Sequence, residues 1–428
     1  MFFGTNWLGT NKLVDVGGGS TYLARFDANG SNLWLRTIVG TNYNFPTHHT
    51  LVSDPAGNVT LSALISDYTS LGTTNVTATG QQGVLAQFDL NGNVRWVQVP
   101  SAWPDYLTYN AGRIYGCMGG GLTNYIGGVT NVSDRRRTLF CLNATNGQAI
   151  WVQAFAAYKD QGSPSGFSDN QALVAVSGTN VFVVGSAYGT NVVFGPYSVN
   201  FPDTVGQYFA RYDTNGNAKL ATSFGSQFTW PWAALADASG NVYIGADFDT
   251  YSIFGSNIIA APFYETVQSV GTIDNRIPGQ ACVAKFDRDG NPLWARPAQS
   301  TSSYLNLRDI TLASDGVWAC GFFKPIGNFG TNTIYGGTPP YHVSGYLAKI
   351  TDGIALPLPV TLLNPTSGSG NFRFSFQSLS GSTYTVLFRT NAAAGVWQTN
   401  STVSGDGTVK LISIPVTNSQ RFFRVWSD

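Results

Sequence analysis

The chain is predicted to be all-β, a β-propeller of four-stranded blades followed by a small β-sandwich, and three observations carry that prediction. The first is a six-fold recurrence. Tyr22 to Asp27 leads through Asn29-Gly30 to Trp34, and counterparts run from Val84 to Trp96, Leu139 to Trp151, Tyr208 to Leu220, Cys282 to Trp294 and Tyr346 to Gly353. Their turn glycines, Gly30, Gly92, Gly147, Gly216, Gly290 and Gly353, stand 62, 55, 69, 74 and 63 residues apart. Such spacing is one supersecondary unit plus loops of varying length. The second observation is composition: only Glu265 among 23 acidic residues is a glutamate, and 49 glycines accompany abundant Asn, Thr, Ser and aromatic residues. Helix formers are thereby depleted and strand and turn formers enriched. The third is a second recurring motif, two short apolar runs joined by a tight turn, as in Thr50 to Leu61 around Asp54-Pro-Ala-Gly57.

Taken in chain order, each unit opens with that inner hairpin, repeated at Ala172 to Val184, Ala234 to Ile244 and Ile310 to Cys320, with a weaker copy at Tyr106 to Cys117. Asp, Asn and Gly supply the left-handed backbone that a tight turn between strands requires. A long connection containing a Phe-Gly or Ile-Gly pair follows. The third strand comes next, as in Val84 to Asp89, then the Asn91-Gly92 turn and a fourth strand carrying Trp96. Four antiparallel strands, repeated, describe a propeller blade. Trp34, Trp96, Trp151 and Trp294 each fall four residues after the turn glycine, which reads as a large packing wedge at one equivalent site per blade. Leu220 takes that place after Gly216, and a looser blade is expected there.

Six third strands stand against five inner hairpins. The missing hairpin belongs before residue 1, because Phe3-Gly4-Thr5-Asn6 matches Phe329-Gly330-Thr331-Asn332 in mid-unit. The reading is therefore five full blades plus an N-terminal half blade in residues 1–355, N-terminally incomplete. A turn-rich junction at Pro365-Thr-Ser-Gly-Ser-Gly370 follows, and residues 356–428 form a separate module. Within it Phe372 to Phe376, Tyr384 to Arg389, Val396 to Gln398, Thr408 to Ile414 and Arg421 to Trp426 are the expected strands of a small sandwich.

The segment Asp237-Ala-Ser-Gly-Asn-Val-Tyr-Ile-Gly-Ala-Asp-Phe, with Val283-Ala-Lys-Phe-Asp-Arg-Asp-Gly-Asn-Pro-Leu-Trp294, resembles the bacterial β-propeller repeat family of the seven-bladed propeller type. The resemblance covers residues 1 to about 355 and implies an exported, non-catalytic interaction or surface protein, extracellular or at the cell surface. Thr138 to Trp151 is also similar to the quinoprotein dehydrogenase repeat. The adjacent cysteine pair and the calcium-ligating Glu that such enzymes imply are missing. Ser380 to Phe388, Trp397 and Arg421 to Val425 resemble the C-terminal Ig-like or fibronectin-like modules of secreted bacterial proteins.

Formal net charge is zero with 11% charged residues, which leaves no electrostatic footprint for nucleic acid. No run of 18 apolar residues is present, so no spanning helix is expected, and Met1 to Trp7 carries no legible secretory signal. Cys117, Cys141, Cys282 and Cys320 are scattered and read as buried free thiols. The Asp-x-Asn-Gly runs reach Gly at the fourth position, which suits a bulged turn and not a calcium loop. His48 and His49 are adjacent and would point to opposite faces of a strand, and His342 is distant. Neither metal nor cofactor is expected. Asp247 and Asp249 share a strand face and would permit a carboxylate dyad, but a solvated strand end is the reading preferred.

One positive feature remains. Segments that follow the fourth strand of each blade are aromatic-rich, and Tyr43, Trp103, Tyr158, Trp230 and Tyr304 recur there. Loops at equivalent positions open on one end of a propeller, where exposed rings form a stacking platform. The expectation is a non-catalytic extracytoplasmic binding or scaffold protein whose ligand is a glycan or a surface protein. The enzyme alternative is a quinoprotein-like or other propeller enzyme.

Overall fold

A computed structural model describes residues 5–8, 11–14, 21–40, 50–71, 74–119, 122–133, 137–155, 172–188, 192–201, 205–226, 229–248, 251–254, 257–260, 280–299, 304–313, 316–324, 326–330, 332–336, 344–350, 362–368, 370–378, 383–390, 398–406, 408–416 and 421–427. Every regular element among them is a β-strand. Two compact units divide the chain. One holds Met1–Ser223 with Ala234–Val242 and Arg288–Gly290, the other Phe224–Ala233, Tyr243–Asp287 and Asn291–Asp428.

The blades follow the predicted order. The first has strands Thr50–Ser53, Val59–Leu71, Thr74–Phe88 and Val94–Gln98. The second has Pro104–Asn110, Arg113–Met118, Arg137–Asn143 and Ala149–Phe155, and the third Ala172–Ser177, Asn180–Tyr188, Val205–Asp213 and Ala218–Phe224. Thr229–Ala236, Val242–Phe248, Gln280–Phe286 and Pro292–Gln299 make the fourth. The fifth shows three described strands, Tyr304–Ala313, Gly316–Lys324 and Ser344–Ile350. Thr21–Phe26 and Asn32–Gly40 form the N-terminal half blade. Neighbouring strands within each blade are antiparallel, and the hairpin at Tyr106 to Cys117 pairs as regularly as the others.

The repeated turn is built as its residues dictate. Asp89 Oδ1 accepts the N–H groups of Asn91 and Asn93, both at 2.8 Å, while Asn93 Nδ2 donates to Asp89 Oδ2 at 3.2 Å. The same pattern holds at Asp213 and Asp237. The two backbone bonds fix the turn and a bulge follows, between Gln87 and Phe88 here and between Lys285 and Phe286 in the fourth blade. At Asp213, hydrogen bonds from Asn217 and Lys219 outweigh burial and hold the carboxyl at about 2.

Three of the wedge tryptophans then fasten their blades to the next. Trp34 Nε1 donates to Leu90 O at 2.8 Å, Trp96 to Ala144 O at 3.1 Å and Trp151 to Thr214 O at 2.9 Å, each acceptor being the residue after the Asp or Asn that opens the next turn. The indole lies against the turn glycine: a Cβ on Gly147 would stand 2.8 Å from the Trp96 ring. Arg36 adds Nε to Gly92 O at 2.7 Å. Where Leu220 replaces the tryptophan, Gly290 rests on Thr222 and Phe209, and Arg211 pairs with Asp289 at 3.1 Å.

A further hairpin in every blade was not foreseen. The connection between second and third strands is a two-stranded hairpin with a two-residue turn, at Thr123–Ile126/Val129–Val132, Val192–Phe194/Tyr197–Val199, Tyr251–Phe254/Asn257–Ala260 and Ile326–Phe329/Asn332–Tyr335. In the half blade it is Thr5–Leu8/Asn11–Val14. Leu8 therefore pairs with Asn11 as Phe329 pairs with Asn332, so the motif matching Phe329 to Asn332 is Leu8-Gly9-Thr10-Asn11 and not Phe3 to Asn6. In four of these hairpins the residue before the turn is sunk into the core: Leu71, Ile126, Phe194 and Phe254 are fully buried, while Phe329 is half-buried. The hairpin reaches back to the preceding blade, pairing Leu71 with Ile38 and Phe329 with Ala298, while Tyr125 O and N both bond Ser101.

The C-terminal residues form two three-stranded sheets, Leu363–Gly368, Asn371–Gln377 and Val409–Pro415 in one, and Gln398–Ser404, Thr383–Arg389 and Phe422–Ser427 in the other. Phe374, Phe376, Ile412 and Ile414 from the first meet Tyr384, Val386 and Val425 from the second in one core, which makes a sandwich. The supposed junction at Pro365 to Gly370 is thus largely strand, with Asn364 and Gly370 at positive φ absorbing its irregularity. All four cysteines are free thiols, with Cys117, Cys141 and Cys282 buried.

Candidate functional site

Of the five rings expected to bind ligand, Tyr43 and Tyr158 lie outside the described residues, as do His48, His49, His342, Glu265 and Asp249. Tyr304 begins the first strand of the fifth blade, its side chain undescribed. Trp103 is half-buried just before the second blade's first strand, with its backbone pressed onto the first blade: a Cβ on Gly83 would come 2.7 Å from Trp103 Cα. Trp230 is half-buried inside Thr229–Ala236 itself, not in a loop. That strand alternates, with Thr229, Pro231 and Ala233 buried and Trp230 and Trp232 half-exposed on the other face.

The structure adds a cluster that sequence reasoning missed. Asp247 is only 3% exposed, so the reading of a solvated strand end is corrected. Its strand is buried along its whole length, and the fourth and fifth blades surround the carboxylate with donors. Trp232 Nε1 donates to Oδ2 at 2.7 Å, Asn306 Nδ2 donates to the same oxygen, and Leu307 N–H donates to Oδ1 at 2.7 Å. Burial pushes the carboxyl up to about 7 against those bonds, which favour its ionised form. Asp247 therefore clamps the first strands of two blades and fixes the Trp232 ring. One signal was available: the corresponding strand cores, 59–65, 114–118, 181–188 and 317–323, carry no charged residue.

Arg308 lies over this clamp, its guanidinium carbon 4.9 Å from the Trp232 ring centre and 4.7 Å from that of Phe322. It is exposed and occupies a β-bulge, because Leu307 pairs with Gly321 and Asp309 with Cys320, leaving Arg308 without a partner in the ladder. The opposite side of that strand faces a cleft of about 250 Å³ lined by Leu307, Cys282, Phe329 and Tyr346. Two cations line the cleft and lie over rings: Arg296 over Trp294 at 5.2 Å and Lys349 over Trp318 at 5.8 Å. Burial raises both the Cys282 thiol and the Tyr346 hydroxyl far above their ordinary values, so neither is a ready nucleophile.

No protein-family model and no curated protein matches this chain. Among solved structures it is similar to BamB from Moraxella catarrhalis, at 12% identity over 87% of this chain and 92% of that one with a TM-score of 0.36. It is likewise similar to an exo-beta-1,3-galactanase from Phanerochaete chrysosporium, at 9% identity over 95% and 96% with a TM-score of 0.30. A quinohemoprotein alcohol dehydrogenase from Comamonas testosteroni gives 11% over 85% and 68%, with a TM-score of 0.31. Likeness at this level leaves the function open.

Proposed function

We propose that the chain is a non-catalytic extracytoplasmic binding or scaffold protein that recognises a glycan or a surface protein through aromatic side chains at the heads of its innermost strands. The observation that supports this reading is a division of labour among the aromatics. Trp34, Trp96 and Trp151 are committed to fastening blade to blade. Trp103 and Trp230 are half-buried and stand outside that hydrogen-bond pattern. Asp247, the strongest acid candidate, meets only donors and serves as a clamp. Export and the surface location follow from the family resemblance. A glycan array and a surface-protein pulldown separate the two ligand classes. Trp103→Ala and Trp230→Ala should each weaken binding by about 1 kcal/mol or more; two variants that bind like the parent refute the reading.

A further inference from the structure

We infer that the strand face carrying Trp230, Trp232 and Arg308 is a binding site for an acidic saccharide, a sugar ring whose C–H face packs on indole and whose carboxylate is forked by the Arg308 guanidinium. The inference rests on the glycan arm of the proposed function and names its ligand class.

Three independent features point to a built site. The first is the bulge. An inserted residue re-aims one side chain out of the ladder, and in the second blade the equivalent inserted residue is Asp105, between Pro104 opposite Met118 and Tyr106 opposite Cys117. There the charge is neutralised by an ion pair with Arg137. Arg308 makes no ion pair among the described residues, although its charge acts on the Asp247 carboxylate beneath it, and the neighbouring Asp309 carboxylate turns back onto Ile310 N–H at 2.8 Å. The second feature is the seat: two aromatic faces hold the guanidinium in place, so little freedom is lost when it grips a planar oxyanion. The third is the support beneath, where buried Asp247 fixes both Trp232 and Asn306, and its own carboxylate is taken up by three donors. A fixed positioning group under a stacking ring is what a recognition site requires. Trp230 lies two residues from Trp232 on the same face, about 7 Å along the strand, and extends the apolar floor to roughly the width of a sugar ring.

Isothermal titration of the whole chain with tri-galacturonate and with its methyl ester tests this, because the ester keeps the ring and removes the charge. The free acid should bind at least tenfold more tightly than the ester, and Arg308→Gln should abolish that difference while its unfolding midpoint stays within a few degrees. The acid–ester difference in the parent stands even if the variant fails to fold. Equal binding of acid and ester, with Arg308→Gln unchanged, overturns the inference and leaves the glycan reading intact. Binding of neither, with a protein recovered in the pulldown, overturns the inference together with the glycan arm.

Discussion

At Gly147 the backbone sits at φ +72 and a methyl group would collide with the Trp96 ring at 2.8 Å. Gly147→Ala therefore meets both a left-handed backbone penalty and overpacking, and should destabilise the chain by about 2 kcal/mol or more in urea unfolding. The same scale governs Asp247. Its carboxyl is raised to about 7 from 3.8, so between those values the folded chain keeps a proton that the unfolded chain releases. Its contribution to stability is then full below about pH 4 and lost as pH rises through about 7, at no more than about 1.4 kcal/mol per pH unit. Unfolding free energies of the parent minus those of Asp247→Asn, measured from pH 4.5 to 8, should fall across that window; a flat difference would show the carboxyl to be unshifted. The Asp-x-Asn-Gly turns were legible because the backbone bonds that close each turn lie within four residues of the Asp. Asp247 was not, since its donors sit 15 and about 60 residues away on strands whose apposition only the fold creates.

At the scale of the element, the short hairpin between second and third strands is the part of the blade that the sequence disguised. Its turn has only two residues, and its signal reduces to an apolar residue before a glycine. What identifies it is packing: Phe194 lies 4.9 Å from the Tyr208 ring and 6.3 Å from that of Phe155, at the end of the preceding blade's last strand. Phe194→Ala should cost about 3–5 kcal/mol through the cavity it leaves, whereas Val193→Ala, on the exposed face of the same strand, should change stability by less than about 0.5 kcal/mol. Comparable losses from both would remove the hairpin from the inter-blade contact. The strand Leu363–Gly368 escaped notice for a related reason, since its Pro, Ser and Gly content is that of a turn and only pairing with Asn371–Gln377 makes it a strand.

For the whole molecule, the six-against-five count of strands and hairpins was readable from the sequence because each blade repeats the same turn chemistry, and among the described residues it holds. The proposed ligand face was less so: Trp230 stands at a recurring position, whereas Arg308 lies over Trp232 and Phe322 only through a bulge. The repeated tryptophans fasten blades, and the proposed role of the strand-head rings is to meet the ligand. Trp96→Phe and Trp230→Ala separate the two roles in one experiment, combining urea unfolding with titration of the best-bound glycan from the array. Trp96→Phe should lower unfolding free energy by about 1 kcal/mol through the lost hydrogen bond to Ala144 and leave affinity unchanged. Trp230→Ala should weaken binding at least fivefold, about 1 kcal/mol, with stability held to within that amount. Unchanged affinity in Trp230→Ala, or weakened affinity in Trp96→Phe, would contradict the account.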